Sequence, residues 1–278
     1  MAKFRMNCGR RTSGVRVVML ALALVLLGPA ASMAELVSVR YPEGTTHGFL
    51  ALRSLDGRLL ADGDLTAIVN GAQVSSRLVF RFKDGSVHDE HVTFSQGQSF
   101  RVVTYRLIQK GPVFPDPVDT SIEPGRRLVT VRYTDKGKEK VESKEMDLPA
   151  DLADGLVLTL LKNVRPAAPP KKLSYVSAGR KPRLVALAIT QAGEEPFTTG
   201  GAARKAMHYV LKVEIGGLSG LIAPLIGKQP PDSHVWILSG DVPAFVRSEQ
   251  PFFEGGPVWR IELATPQFAE PRPPRAAR

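Results

Sequence analysis

Two-residue turn signals recur through the first part of the chain at a spacing that leaves room only for short strands between them. Asp56-Gly57, Asp62-Gly63, Asn70-Gly71, Asp84-Gly85 and Gln96-Gly97 all fall between residues 46 and 110. Each offers a glycine where a tight hairpin needs a positive backbone φ. Between them Leu78, Phe80 and Phe82 alternate with Arg77, Val79, Arg81 and Lys83, and Val92 and Phe94 alternate with His91, Thr93 and Ser95. Period-2 alternation marks strands with one dry and one wet face, so a meander of at least three antiparallel strands is expected. The run 100–109 carries bulk on both alternating sets, Phe100, Val102 and Ile108 on one and Val103, Tyr105 and Leu107 on the other.

The segment 111–117 holds three prolines, which excludes a central strand and leaves a rigid loop or an edge. Alternation resumes over 128–134, followed by a charged turn around Gly137 and a return strand over 141–146. Asp147-Leu148-Pro149 then opens an expected helix over 149–162, with proline in the first turn and Leu152, Leu156, Leu160 and Leu161 near helical spacing. A strand over 156–161 is the alternative, because short apolar runs do not separate the two. Residues 183–190, 206–215, 234–238 and 258–263 read as further strands. The fold class expected is mainly β, a curved antiparallel sheet or half-open β-barrel with one or two packed helices.

The chain begins with the pattern of an export signal. Arg5, Arg10, Arg11 and Arg16 precede the apolar stretch 17–27, Gly28-Pro29 breaks it, and Ala30-Ala31-Ser32-Met33-Ala34 supplies a small-residue cut site. Residues 1–34 are therefore read as a signal peptide, and the mature chain as exported, periplasmic or secreted; retention of the leader as an anchor is the alternative. Cys8, the sole cysteine, lies inside this leader, so the mature chain has no disulfide or cysteine metal cluster to hold it and must stand on an apolar core. The leader also takes five basic residues, which leaves 32 basic against 27 acidic. A modest excess spread along the chain, with no focused basic patch, argues against nucleic-acid binding.

Residues 35–265 are read as one β-rich domain, although the Pro-rich segment 165–172 could instead divide two; strand patterning on both sides of it favours one. The tail 266–278, with four prolines and three arginines, is expected to be disordered. Residues 216–227 are apolar, uncharged and glycine-flanked, too short for a bilayer span, and read as a packed loop or helix, or as a lid over a cavity.

No pattern of catalytic or cofactor chemistry is complete. His88-Asp89-Glu90-His91 is dense in metal ligands, but on a strand its members face alternate sides, and no metal is expected. Gly217-Leu218-Ser219-Gly220-Leu221 misplaces a glycine for a nucleophile elbow, and His234 with Asp232 nearby does not make a triad. The scattered glycine pairs cradle no phosphate, so no nucleotide or other cofactor is expected. Trp236 and Trp259 sit in strands, either as core or as the lining of an apolar pocket.

Three stretches carry a resemblance. Arg77-Leu78-Val79-Phe80-Arg81-Phe82-Lys83-Asp84-Gly85, Leu148-Pro149-Ala150-Asp151-Leu152-Ala153-Asp154-Gly155 and Gly255-Gly256-Pro257-Val258-Trp259-Arg260-Ile261 resemble a family of uncharacterised exported bacterial β-rich proteins. In layout this family is similar to periplasmic lipoprotein carriers, whose incomplete barrel wraps apolar cargo. The resemblance implies binding or carriage of an apolar or lipid-like ligand at the envelope without catalysis, in a form that does not span the membrane. Phe80, Phe82, Phe94, Leu221, Ile222 and Trp236 are the candidate lining residues. An envelope scaffold that docks a partner protein through strand edges is the second expectation, and a hydrolase using Ser219 and His234, or a metal at His88 and His91, the third.

Overall fold

A computed structural model describes residues 36–165, 172–177, 179–199, 201–214 and 230–264. The leader, residues 166–171 of the Pro-rich segment, the apolar stretch 216–227 with Ser219, Leu221 and Ile222, and the tail lie outside the described residues.

The first half of the sheet comprises β1 (Thr46–Ser54), β2 (Leu59–Asn70), β3 (Gln73–Phe82), β4 (Val87–Gln96), β5 (Phe100–Lys110), β6 (Val118–Glu123), β7 (Leu128–Asp135) and β8 (Lys138–Glu145). A short helix, α1 (Val157–Asn163), leads into β9 (Lys172–Ser177), β10 (Arg183–Thr199), β11 (Ala202–Glu214), β12 (Ser233–Leu238), β13 (Phe245–Pro251) and β14 (Val258–Leu263). The fourteen strands of the described residues form one curved, unclosed antiparallel sheet, ordered β8-β7-β6-β5-β4-β3-β2-β1-β14-β13-β12-β11-β10-β9. Two meanders are thus joined at the first and last strands, with Leu52 opposite Ile261 and Ser54 opposite Trp259. Strands from both sides of the Pro-rich segment share this sheet.

Four of the five turn signals sit in hairpin connections, but Asp62-Gly63 lies inside β2, with Gly63 opposite Phe80. A Cβ on Gly63 would stand 2.4 Å from Phe80 Cε1, so this glycine makes room for a ring and turns nothing. The double-sided look of β5 also has a local cause. The pairing shifts between Thr93 and Phe94, so β5 carries an extra residue at Val103, and the inward set changes phase from Phe100 and Val102 to Tyr105, Leu107 and Gln109. At the β7–β8 turn Lys136 and Gly137 both have positive φ, 49° and 75°, the signature of a type I′ hairpin.

The helix is shorter than its sequence pattern suggests. Gly155 has φ +70°, and residues 151–154 turn aside to meet β9: Leu152 bridges Ser174 in parallel, and Ala153 N–H donates to the Ser174 carbonyl at 2.9 Å. Leu156, Leu160 and Leu161 are buried inside the sheet with Phe94, Phe100, Val235 and Ile237. Each such side chain contributes about 1.5–3 kcal/mol on burial. Asn163 fastens the helix to the N-terminal segment, its Oδ1 accepting the N–H groups of Arg40 and Tyr41 at 2.8 and 2.7 Å and its Nδ2 donating to the carbonyls of Tyr41 and Thr159.

The other face of the first meander is polar and laced by cross-strand pairs. Arg77 grips Asp89 through Nε and a terminal nitrogen at 2.8 and 2.6 Å, and Arg106 grips Asp119 the same way at 2.9 and 2.7 Å. Apolar residues inward and paired charges outward are what the period-2 pattern demands of a sheet with one wet face.

Candidate ligand-binding cleft

The β1–β2, β3–β4, β5–β6 and β13–β14 connections gather at one end of the antiparallel sheet, opposite the end at which the β4–β5 turn packs near α1. At that end Phe80 and Phe82 meet rings from distant segments. Phe82 lies 5.7 Å from Phe114 and 5.6 Å from Trp259, Phe80 lies 5.6 Å from Phe252, and Phe252 lies 5.3 Å from Trp259, measured between ring centroids. Tilted and edge-on geometries prevail, as the ring quadrupoles prefer. Leu50, Leu52, Ala61 and Ile261 complete this second core.

Turn chemistry brings the distant rings in. Ser86, fully buried, accepts the N–H of Val113 on its Oγ at 3.0 Å and thereby holds the Pro-rich 111–117 loop against β3 and β4, which seats Phe114. Gly111 makes that approach possible, because at φ +101° a Cβ would lie 2.5 Å from the Ser86 backbone. Gly256 plays the same part after β13: a Cβ there would meet the Phe253 ring at 2.8 Å.

The cluster opens into a cleft of about 510 Å³. Phe82, Trp259 and Phe253 form its aromatic side, Leu59, Leu60, Val113 and Pro257 its aliphatic side, and Arg58, Lys83 and Asp84 its rim. Its size falls within the range of small-molecule sites. A second open cleft, of about 330 Å³, lies along β9 and β10, beside the Lys172–Glu214 ion pair.

Beneath the aromatic cluster sits a buried histidine. His88 packs against Phe252 at 4.9 Å between centroids, and its Nδ1 accepts from Gln109 Nε2 at 3.0 Å, so the neutral ring carries its proton on Nε2. Burial depresses its pKa to about 4, outweighing the nearby Asp89 carboxylate. Farther along the inner face the Glu90 carboxyl accepts the Tyr105 hydroxyl at 2.9 Å, and Asp154 accepts the Val176 N–H at 3.0 Å. Burial raises both carboxyls, Asp154 strongly, and each carboxyl raises the phenols of Tyr105 and Tyr175 further.

The structure separates the candidate lining residues. Phe80 and Phe82 share the cluster, with Phe82 reaching the cleft, whereas Phe94 packs 6.1 Å from Phe100 in the core beside α1. Trp236 points away from Val235 and Ile237, which enter the core, and lies on the other face. It stacks on His208 at 4.3 Å with 10° between planes, under Arg247 at 4.0 Å, and donates its Nε1–H to Glu195 at 2.9 Å. Trp259, one of the two tryptophans read as core or pocket lining, takes a place in the cleft, and Phe114, Phe252 and Phe253 take places that the sequence did not mark. The sign available was the pair Phe252-Phe253 and Trp259 flanking the turn at Gly255-Gly256-Pro257.

Of the hydrolytic pair only His234 is among the described residues, and the two histidines of the metal alternative point to opposite faces. His88 faces inward while His91 faces outward to Ser75 Oγ at 2.8 Å, and His234 is bonded to His208 at 2.9 Å. Among the described residues no three His, Cys, Asp or Glu side chains are placed to hold a metal ion. Set beside known protein families, curated proteins and solved structures, the chain matches none.

Proposed function

We propose that this is an exported envelope protein that binds, and carries without transforming, an apolar or lipid-like ligand in the cleft at the end of the sheet. One observation carries the reading: the aromatic core of Phe80, Phe82, Phe114, Phe252 and Trp259 continues into an open cleft instead of being sealed from solvent. A ligand lying against Phe82, Phe253 and Trp259 would bury apolar surface at about 25 cal/mol per Å² with little rearrangement of the strands. The buried groups beneath it are neutral or hydrogen-bonded, which suits binding better than chemistry.

A docking role for a partner protein draws on β8, whose eight residues are all exposed and whose outer edge no described strand covers. Its alternating lysines and glutamates are of the kind that discourage edge pairing, so ligand binding is preferred.

The test is native mass spectrometry of the protein purified from its own cell envelope, followed by organic extraction and by titration with a brominated fatty acid that quenches tryptophan. A co-purifying apolar mass and quenching lost on Trp259→Phe but kept on Trp236→Phe support the cleft. A clean mass together with no quenching overturns it.

A further inference from the structure

Building on that reading of the cleft, we infer that its ligand is a single-chain amphiphile with an anionic headgroup, held by Arg58 and Lys83 at the rim.

On the outer face of the sheet Arg77, Arg81, Arg106, Arg53 and Arg260 each hold a carboxylate at 2.6–2.9 Å. At the cleft the Arg58 guanidinium and the Lys83 ammonium make no hydrogen bond or ion pair among the described residues, although both line the opening. The carboxylates nearby already accept turn hydrogen bonds, and Asp56 also feels the Arg58 charge. Asp84 Oδ1 accepts the Ser86 N–H at 2.9 Å, and Asp56 accepts the Ser54 hydroxyl, which together with the nearby Arg58 lowers its pKa. The two cations come from separate connections, β1–β2 and β3–β4, yet flank one aromatic floor. A ligand with its chain against Phe82, Phe253 and Trp259 therefore places its head beside the Arg58 and Lys83 cations, neither of them held in an ion pair, where an anionic head gains more than a neutral or cationic one. With a volume of about 510 Å³ the cleft suits one alkyl chain and not several.

The test uses three probes of equal chain length, dodecanoate, dodecanol and dodecyltrimethylammonium, below their micelle concentrations, titrated calorimetrically into the full-length protein. Dodecanoate is expected to bind about threefold to tenfold more tightly than dodecanol, the scale of two partly screened ion pairs, with the advantage shrinking as salt is raised. Dodecyltrimethylammonium is expected to bind weakest. In the Arg58→Glu, Lys83→Glu double variant, checked for folding by circular dichroism, the order of anion and cation inverts; Arg58→Gln with Lys83→Gln gives the same loss of anion preference without reversed charge. Equal affinity for all three probes, or an anion preference that survives in the folded double variant, overturns the headgroup inference while leaving the cleft reading standing. Absence of binding by every probe overturns both.

Discussion

The Asp154 carboxyl accepts the backbone N–H of Val176 at 3.0 Å, on the edge of β9 that no other described strand pairs. Asp151 Oδ2 does the same for Ser174, taking both its N–H and its Oγ at 3.1 Å. A sheet of fourteen strands has two edges; β9 is capped by these two aspartates instead of by β8. Unpaired buried N–H groups cost about 1–3 kcal/mol, so Asp154→Ala should lower the unfolding free energy by that amount in urea titration, and Asp154→Asn, which keeps an acceptor, by less.

The same carboxyl sets a pH dependence. Burial raises the pKa of Asp154 in the folded protein, so the folded state keeps a proton that the unfolded state releases above about pH 4. Stability from this group is full below the unfolded value and is lost as pH climbs toward the folded one. Asp154→Asn should therefore gain on the wild type as pH rises above about 4. Parallel stability curves for the two proteins would contradict it.

His88 acts in the opposite sense. Its folded pKa lies near 4, below the ordinary 6.5, so the neutral ring is favoured in the folded state. Its contribution is intact above the unfolded pKa and is lost as pH falls from about 6.5 to about 4, by up to roughly 3 kcal/mol. Thermal melts of wild type and His88→Gln across that window should show a shallower acid slope in the variant.

Gly63 and Phe80 make a tight pair, and Gly63→Ala should cost about 1–3 kcal/mol through overpacking. Combining it with Phe80→Leu should recover part of that loss, which a double-mutant cycle in urea would read as a favourable coupling.

On the outer face the Glu195, His208 and His234 hydrogen bonds dictate proton positions. Glu195 is kept ionised, chiefly by the Trp236 indole N–H, and can only accept, so His208 carries its proton on Nδ1, 2.8 Å away. Burial lowers the His208 pKa, and its bare Nε2 then requires His234 to donate from Nδ1. Nitrogen-detected NMR should find a proton on Nδ1 of both rings; a bare Nδ1 on either ring would break this arrangement.

Phe80 and Phe82 of the cluster were within reach of pattern reading, and Phe114 and Phe252 were not. Phe80 and Phe82 stand out because they alternate with Arg77 and Arg81 along one strand. Their neighbours Phe114 and Phe252 sit in a loop and at the end of a strand, where no period marks them, and only folding sets Phe82 beside Trp259 across 177 positions. Phe94 and Trp236 share the alternation but not the place: Phe94 turns into the core that holds Leu156 and Leu160, whereas β12 turns its tryptophan outward.

Strand identity is a local property, since alternation and turn dipeptides act through neighbours, and the sequence alone determined a mainly antiparallel β protein with hairpins at Gly57, Gly71, Gly85, Gly97 and Gly137. The pairing of β1 with β14, the capping of β9 by Asp151 and Asp154, and the opening of the aromatic core between Arg58 and Lys83 were decided only by tertiary structure. Each depends on which distant segments lie side by side, and burial, which moves the pKa of His88 and Asp154, exists only once they do.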